Sequence, residues 1–302
     1  MRVALLSGGT GGAKLARGLL DVAGPEGLSV IANTGDDTEV YGVHVSPDPD
    51  LITYWLADEI DERGYGIRGD TWEVMSAFEA AGRPAWFRLG DRDLAMCLVR
   101  TELLAAGRRL TEAHAAVAAG MGVRVPVLPM CDEPVRTRVT ARGRTLAFQE
   151  FMIAERAEGP VEAVEFAGAP QARPTREVLG AIADADAIVI GPSNPVISIA
   201  PILALPGMRE ALDEARAPVV AMSPFVRGEV VKGPTPLFCD YAGLAPDASA
   251  MLGAYGDLLD GVVADEPVRG LPALETGTLM DTSEARARVA TSTVEFAASL
   301  AT

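Results

Sequence analysis

Histidine, cysteine and long apolar runs are scarce in this chain. With only two histidines, His44 and His114, neither an HExxH zinc site nor a His-based catalytic triad is expected. The three cysteines form no CxxC pair, which favours reduced, buried thiols and a cytoplasmic location. No apolar run approaches the roughly 20 residues that span a bilayer, and the N-terminal run is too short for a signal peptide, so no membrane association is expected.

Basic side chains are also in deficit. The 302 residues include 26 basic and 42 acidic side chains, a net charge of −16. Because proteins that bind nucleic acid need a basic footprint to neutralise phosphates, no nucleic-acid partner is expected. This balance still allows a local pocket for a single nucleotide. The length and the 49% content of hydrophobic residues suffice for a large core without disulfide or metal staples.

The N-terminal segment has the pattern of a strand, a helix and a second strand. Residues 3–6 form a short apolar run that ends in glycines, residues 13–22 have apolar positions at helical spacing, and residues 28–32 are again apolar. This βαβ order predicts an α/β fold with a Rossmann-like, mostly parallel sheet flanked by helices. Later strands are predicted at residues 187–190, 218–222 and 261–264, and later helices at residues 176–183, 249–259 and 283–298.

The middle of the chain departs from this pattern. Residues 86–90 are predicted to form a strand, and alternation on both sides of Arg142-Gly143 predicts a β-hairpin over residues 135–151. Residues 50–170 are interpreted as a helical and β-hairpin insertion, a cap-like subdomain within a single α/β domain of residues 1–302. The helices predicted within it lie at residues 50–61, 71–81, 91–106 and 111–119.

A glycine-rich loop joins the first strand to the first helix. Glycines permit close approach of a phosphate to the backbone, and the helix N-terminus attracts the anion. The Walker A motif does not fit, because Leu15 follows Lys14. The dinucleotide fingerprint does not fit either, because its third glycine falls on Lys14 and Asn33 stands where an acid is expected. A tight structural turn is the alternative to a phosphate cradle. The predicted nucleotide- and phosphate-binding residues of this loop are Gly8, Gly9, Thr10, Gly11, Gly12 and Lys14.

Acidic residues follow the second strand, at the same sheet edge as the glycine loop. Carboxylates beside a phosphate site suit Mg²⁺, which takes one or two of them together with phosphate oxygens. Asp36 and Asp37 are therefore the predicted metal ligands, with capping of a turn or helix as the alternative. Farther on, Asp48 and Asp50 are each interpreted as a candidate N-cap of a helix that begins near Leu51.

Two later segments add candidate ligand contacts. Arg88 begins a segment that joins a predicted strand to a helix, and it is either an anion or ring contact or one half of a local Arg–Asp ion pair. Ser193 and Asn194 follow a predicted strand, where a hydroxyl and an amide suit a nucleobase or a phosphate; a β-turn without a ligand is the alternative. Four alternating arginines are interpreted as the solvated face of a strand: Arg136, Arg138, Arg142 and Arg144.

Taken in order, these motifs resemble the 2-phospho-L-lactate transferase family, known as CofD in archaea and FbiA in actinobacteria. The resemblance extends over nearly the whole chain, and the ordered set is specific although each motif alone is weak. The segments that carry it are Ser7-Gly8-Gly9-Thr10-Gly11-Gly12, Asn33-Thr34-Gly35-Asp36-Asp37, Ser46-Pro47-Asp48-Pro49-Asp50, Arg88-Leu89-Gly90-Asp91-Arg92-Asp93, Leu128-Pro129-Met130, Phe148-Gln149-Glu150, Gly191-Pro192-Ser193-Asn194-Pro195 and Ser223-Pro224.

The resemblance implies a transferase of coenzyme F-420 biosynthesis. Such an enzyme moves a phospho-lactyl or phospho-enolpyruvyl group from a guanosine diphosphate ester to the terminal ribityl hydroxyl of the deazaflavin Fo, releases GMP, uses Mg²⁺ and forms a homodimer. The resemblance also implies that Asp50 and Arg88 contact Fo, and that the glycine loop, Ser193 and Asn194 contact the guanosine diphosphate. Asp36 and Asp50 are the predicted catalytic residues: Asp36 binds Mg²⁺, and Asp50 orients the hydroxyl or accepts its proton.

Two other functions stay open on the sequence alone. A nucleotide-sugar-binding regulatory protein of the gluconeogenesis-factor type would share the glycine loop without catalysing a transfer. A Rossmann oxidoreductase is disfavoured by Lys14 and Asn33. The sequence also leaves open whether the donor carries lactate or enolpyruvate.

Overall fold

A seven-stranded parallel sheet lies at the centre of the computed structural model, which describes residues 1–230 and 233–301. The strands in these residues are β1 (Val3–Ser7), β2 (Leu28–Ala32), β3 (Thr38–Val40), β4 (Val43–Val45), β5 (Val127–Pro129), β6 (Arg136–Ala141), β7 (Arg144–Ala147), β8 (Val161–Ala167), β9 (Ala187–Ile190), β10 (Val219–Met222), β11 (Phe225–Val226), β12 (Glu229–Val230), β13 (Gly261–Ala264) and β14 (Ala273–Glu275). The central sheet has the order β14-β13-β10-β9-β1-β2-β5. This architecture confirms the predicted α/β fold class.

The middle strands of the sheet are buried along their whole length, as in β1, β9 and β10. Parallel strands covered on both faces are apolar at successive positions, which explains why short apolar runs predicted them. Leu5 of β1 pairs with Val30 of β2 and belongs to the core on one face, whereas the next pair, Leu6 and Ile31, belongs to the core on the other face.

Helices cover both faces of the sheet. The α-helices in the described residues are α1 (Gly9–Ala23), α2 (Pro47–Leu56), α3 (Glu73–Ala80), α4 (Asp91–Ala105), α5 (Leu110–Gly120), α6 (Arg176–Ala183), α7 (Ala200–Leu203), α8 (Met208–Asp213), α9 (Thr235–Ala242), α10 (Ala250–Tyr255) and α11 (Ser283–Leu300). Short π-helical turns lie at Glu150–Ala154 and Pro195–Ile199, and 3₁₀ turns at Ala169–Gln171 and Gly256–Leu258. Helix α1 packs between α2 and α11. Gly18 permits the close crossing with α11, because a Cβ there would lie 2.5 Å from the backbone oxygen of Arg286.

Three small antiparallel sheets surround the central one. The predicted hairpin of residues 135–151 is confirmed as β6 and β7, and β8 adds a third strand that the sequence did not indicate. The other two sheets are the hairpins β3–β4 and β11–β12.

The strand predicted at residues 86–90 is wrong. No strand is assigned to this segment in the described chain. Its apolar side chains have another cause: Phe87 and Leu89 pack against the β3–β4 hairpin in a small core with Val43 and Val45. The aromatic-rich run has the composition of a strand because its side chains are buried, but among the described residues its backbone pairs with no strand, and the Phe87 N–H donates to the Tyr41 hydroxyl instead.

Residues 50–170 also contribute to the central sheet, since β5 pairs with β2 at its edge. The division into a single domain with a cap-like insertion stays a prediction.

All three cysteines are buried and unpaired. In the part of the chain that the structure describes, no helix combines the length and the apolar character needed to cross a membrane.

Candidate active site

The glycine loop brings three segments of the chain into close contact at the carboxyl end of β1. Gly9 has φ +66°, a conformation that favours glycine. A Cβ at Gly8 would lie 2.6 Å from Oδ2 of Asp48, and a Cβ at Gly11 would lie 2.2 Å from the backbone oxygen of Pro192. The glycines are therefore needed for packing between loops as well as for the turn itself.

The loop after β9 is joined to the glycine loop by hydrogen bonds. The Ser193 hydroxyl donates to the backbone oxygen of Gly8 at 2.7 Å and accepts from its N–H at 3.2 Å. The Asn194 side-chain oxygen accepts from the backbone N–H groups of Val196 and Ile197. Its amide nitrogen is buried and has no partner among the described residues, so it is available to a ligand.

Asp48 connects the acidic segments to the start of α1. One carboxylate oxygen accepts the Gly9 N–H at 2.7 Å, and the other accepts from the Asn33 amide at 2.9 Å. Burial raises the pKa of Asp48 to about 6 in spite of these two bonds. The predicted role of Asp48 and Asp50 as N-caps is wrong, because α2 begins at Pro47 and both lie in its first turn.

The two carboxylates that follow β2 have different surroundings. Asp37 is fully bonded within the fold, since one oxygen accepts from the Ser46 hydroxyl at 2.7 Å and the other lies 3.0 Å from Nε2 of His44. Asp36 is also buried, but its Oδ1 has no hydrogen-bond partner in the described part of the chain. Burial, and then the neighbouring charge of Asp48, hold the pKa of Asp36 well above its usual range. Oδ1 of Asp36 is thus a buried acceptor that has no donor among the described residues.

Two cavities meet at these carboxylates. The loop cavity, of about 360 Å³, is lined by the predicted residues Gly8, Gly9, Thr10, Gly11, Lys14, Asp36, Ser193 and Asn194. The aromatic cavity, of about 850 Å³, is lined by Tyr54, Trp72, Trp86, Phe87, Asp50 and Arg88 among others. Asp36, Asp48 and Phe148 line both. Of the other predicted site residues, Gly12 packs behind the loop cavity, where a Cβ would lie 2.2 Å from the Ser7 hydroxyl, and Asp37 lines neither cavity.

Asp50 is held at the edge of the aromatic cavity by a buried arginine. Arg100 is completely buried and binds both oxygens of Asp50, with Nη1 3.1 Å from Oδ2. The same Nη1 donates to the backbone oxygen of His44 at 3.2 Å. Burial raises the pKa of Asp50, and the charge of Arg100 offsets part of that rise. The pair fixes the direction of the Asp50 carboxylate, which also lies 3.9 Å from Nδ1 of His114 and within 4.8 Å of Asp93 and Cys97.

Arg88 lies at the rim of the aromatic cavity. Its guanidinium stands over the Trp72 ring, 5.6 Å from the centroid, and donates to Glu79 at 2.7 Å. About half of the side chain is exposed. Arg88 thus forms an ion pair, with Glu79 and not with a neighbouring aspartate, and it lines the cavity; its contact with a ligand stays a prediction.

Comparisons with known proteins identify the family of this chain. The profile of the family described as 2-phospho-L-lactate transferase CofD matches residues 3–270. The chain belongs to this family. The phosphoenolpyruvate transferase of Kitasatospora aureofaciens is 42% identical over 273 residues, which cover 88% of this chain and 85% of the relative. The 2-phospho-L-lactate transferase of Methanosarcina acetivorans is 36% identical over 290 residues, or 93% and 94% of the two chains.

A solved structure shares the fold of this CofD-family chain at low sequence similarity. Protein BH3568 from Bacillus halodurans aligns with a TM-score of 0.57 and 20% identity, over 91% of this chain and 88% of its own. A second structure of that protein, titled as a member of the upf0052 family, also has a TM-score of 0.57, at 21% identity. At this identity the likeness shows the architecture only.

Several residues of this CofD-family site were not predicted as site residues. Tyr54 donates to Asp93 at 2.7 Å on the wall of the aromatic cavity, where burial raises the pKa of Asp93 to about 7. Thr278 lines the loop cavity with a buried hydroxyl that lacks a partner among the described residues. The alternation of apolar and polar residues around Phe148 indicated only a hairpin. No pattern in the sequence near Tyr54, Thr278 or Phe148 indicates that these side chains line the two cavities.

Proposed function

We propose that this CofD-family transferase moves a phosphorylated three-carbon acid, phospho-lactyl or phospho-enolpyruvyl, from its guanosine diphosphate ester to the terminal ribityl hydroxyl of Fo, with release of GMP, in coenzyme F-420 biosynthesis. The observation that carries the proposal is the junction of two dissimilar cavities at Asp36 and Asp48. A group transfer needs two substrates to meet at one point, and the junction supplies it. The relatives named above support the class of transferred group.

The loop cavity suits the guanosine diphosphate part of the donor. The N-terminal N–H groups of α1 and the side chain of Lys14 favour phosphate oxygens at one end of this cavity. Asn194 and Thr278 offer unpartnered polar atoms that suit the ribose or the base. The same cavity is bounded by apolar side chains such as Met280, which suit the faces of a purine ring.

The aromatic cavity suits the deazaflavin. Its volume of about 850 Å³ lies within the range of cofactor-sized sites, and aromatic side chains such as Trp86 and Phe87 match a planar tricyclic ring. Arg88 and Asp93 provide polar contacts for the ring edge. Asp50 lies on the wall that leads to the junction, where it accepts a hydrogen bond from the ribityl hydroxyl and orients it toward the phosphorus.

The carboxylates at the junction fit a Mg²⁺ ion. Asp36 has a buried oxygen without a partner in the described residues, and the raised pKa values of Asp36 and Asp48 indicate a site short of positive charge. We assign the ion to Asp36 and Asp48, because both carboxylates line the loop cavity and the aromatic cavity, whereas the predicted ligand Asp37 lines neither. Bound there, Mg²⁺ would neutralise the charge of the diphosphate during transfer.

The chain's own residues then position the reaction. The backbone of the glycine loop and Ser193 hold the diphosphate side of the junction, while Asp50, fixed by Arg100, holds the attacking hydroxyl. Phosphoryl transfer depends mainly on such positioning and on charge neutralisation. The hydroxyl loses its proton to Asp50, which accepts its hydrogen bond, as the new bond to phosphorus forms.

Incubation of the purified protein with Fo, Mg²⁺ and each guanylated donor tests the proposal, with the products identified by mass spectrometry. We expect GMP and the phosphodiester of Fo with lactate, with enolpyruvate, or with both. A protein that binds GDP but forms no such product with either donor would contradict the proposal and would favour a nucleotide-binding regulatory role. Light scattering on the same sample tests the predicted homodimer.

A further inference from the structure

A third cavity opens from Asp36, on the side away from α1. It has a volume of about 230 Å³. We call it the arginine cavity, because Arg136 and Arg138 of strand β6 line it. Asp36 and Phe148 are common to this cavity, the loop cavity and the aromatic cavity. The junction at Asp36 therefore has three branches, whereas a donor nucleotide and a ring-bearing acceptor occupy only two.

The arginines of this cavity differ from the others on the same hairpin. Arg142 and Arg144 lie at the turn and pair with Glu158 at 2.8 Å and Glu155 at 3.0 Å. Within the described residues, neither Arg136 nor Arg138 has a carboxylate within ion-pair distance. In a chain with a net charge of −16, two cavity-lining arginines without ion pairs point to an anionic ligand.

Nη1 of Arg136 donates to the backbone oxygen of Val135 at 2.8 Å, which leaves its other N–H groups for a ligand, and Arg138 is exposed. Thr137 is buried, and its hydroxyl has no partner among the described residues. The Gln149 amide donates to the backbone oxygen of Asp36 at 3.3 Å, which ties the hairpin to the acidic loop. Three acids also line the cavity, namely Asp36, the fully bonded Asp37, and Glu39, which is exposed.

We propose that the arginine cavity binds the carboxylate of the transferred three-carbon acid, held by Arg136 and Arg138. This inference rests on the proposed function. It adds the location of the carboxylate, which belongs to the transferred group but takes no part in the reaction. Arginine binds carboxylates through paired, charge-assisted hydrogen bonds, and a cavity of about 230 Å³ accommodates a three-carbon acid but not a nucleotide or a tricyclic ring.

The three branches then match the three groups around the reacting phosphorus. The Fo hydroxyl enters from the aromatic cavity and its oxygen forms a bond to the phosphorus that carries the acid. The bond between that phosphorus and the bridging oxygen breaks, and its electron pair leaves with GMP through the loop cavity. The hydroxyl proton passes to Asp50 and on to solvent. The acid stays in the arginine cavity throughout, which keeps the phosphorus in line between the entering and leaving oxygens.

Calorimetry with two matched nucleotides tests the carboxylate contact directly. The lactate ester of GDP and the ethyl ester of GDP differ only by the carboxylate. In the presence of Mg²⁺ we expect wild-type protein to bind the lactate ester at least about 10-fold more tightly. Arg136→Met and Arg138→Met should each remove most of that difference, Arg138→Lys should restore part of it, and binding of the ethyl ester should change less than about twofold.

Arg144→Met is the matched control, since it removes a paired arginine from the same hairpin and should leave both affinities unchanged. Equal affinities of the two esters for wild-type protein would overturn the inference. So would a parallel loss of both in the Arg136 and Arg138 variants. If wild-type protein fails to transfer the group to Fo but still distinguishes the esters through these arginines, the proposed function fails and the carboxylate subsite stands.

Discussion

The loop cavity and the aromatic cavity share Asp36, yet they are built in different ways. The loop cavity is formed at the ends of parallel strands by glycines that pack within contact distance of neighbouring loops, as Gly11 does against Pro192. The aromatic cavity is lined largely by irregular segments between α2 and α4, with the half-exposed Arg88 at its rim. We call the loop cavity the phosphate side and the aromatic cavity the acceptor side, after their proposed ligands. The comparison indicates that the phosphate side is rigid and intolerant of substitution. On the acceptor side, a single side-chain contact can be removed without disturbing the others.

The largest effect is expected at the point where the two regions meet. Asp36→Asn keeps the shape of the side chain but removes the charge that would hold Mg²⁺. We expect kcat/KM to fall by about 10³-fold or more, with a melting temperature equal to or above that of wild-type protein, because a buried carboxylate without a partner is costly.

Steady-state kinetics and thermal unfolding of the same preparations measure both quantities. Asp184→Asn is the control. The Asp184 side chain is 74% exposed and pairs with Arg2, far from the junction. Turnover of Asp36→Asn close to that of wild-type protein would refute the role assigned to Asp36.

One added methyl group in the glycine loop is expected to disturb the packing of the phosphate side. Gly11→Ala places a Cβ 2.2 Å from the backbone oxygen of Pro192, so two loops must separate. We expect the free energy of unfolding to fall by about 3 kcal/mol. Gly180→Ala, in the open middle of α6, adds the same methyl group without a contact within 4 Å and should be neutral or stabilising by roughly 0.5–1 kcal/mol. Similar urea midpoints for the two variants would contradict the comparison.

The raised pKa of Asp48 predicts that the stability of the protein decreases as the pH rises, which is the reverse of the effect of a carboxylate whose pKa is lowered by folding. Burial raises the pKa of Asp48 from 3.8 to about 6, so the folded protein binds more protons than the unfolded chain between these values. The contribution of Asp48 to stability is therefore full below pH 4 and is lost as the pH rises toward 6, by on the order of 2–3 kcal/mol in metal-free protein.

Urea unfolding of wild-type protein and Asp48→Asn between pH 4 and 7.5 measures this contribution together with the change that loss of the Asp48 charge causes in the pKa of Asp36. The constant cost of an altered bond to Asn33 cancels from the slope. We expect wild-type protein to lose stability relative to the variant as the pH rises, and Mg²⁺ to reduce that loss. A difference between the two proteins that does not vary with pH would argue against an ionising Asp48.

The smallest effect is expected on the acceptor side. Arg88→Ala removes a guanidinium stacked over Trp72 and should weaken binding of Fo by about 10-fold, while the affinity for GDP stays within twofold. Fluorescence titration with Fo and calorimetry with GDP measure the two affinities. Arg92→Ala is the control, since Arg92 pairs with Glu59 nearby and does not line the cavity. Equal weakening of both ligands would show that Arg88 does not act on the acceptor alone.

The two regions also differ in how far the sequence predicts them. The phosphate side follows strands such as β1 and β9, whose apolar runs are unmistakable because both faces are covered. Ligand residues of parallel sheets follow such strands, so the glycine loop, Asp36 and Ser193 could be placed at one edge in advance. What could not be predicted is the bond of Asp48 to the Gly9 N–H, which depends on where α2 packs.

On the acceptor side the sequence carries weaker signals. The aromatic run at residues 86–90 has the composition of a strand, but its side chains line a cavity and pack on a hairpin. Arg100 lies 50 residues from its partner Asp50, in the middle of a helix whose pattern suggests only an ordinary amphipathic segment. Contacts between side chains so distant in sequence are set by tertiary packing and have no local signature.

Arg100 has a consequence for the order in which ligands load. Its guanidinium is permanently charged and sealed inside the protein, so Asp50 carries its own counter-ion whatever else is bound. Burial raises the pKa of Asp36 and of Asp48, and the proposed Mg²⁺ would supply a counter-charge to these two carboxylates. We therefore expect Fo to bind magnesium-free protein nearly as tightly as it binds the protein in the presence of Mg²⁺. The affinity for the donor, in contrast, should rise with the free Mg²⁺ concentration. Binding of the acceptor and binding of the donor would then be electrostatically independent.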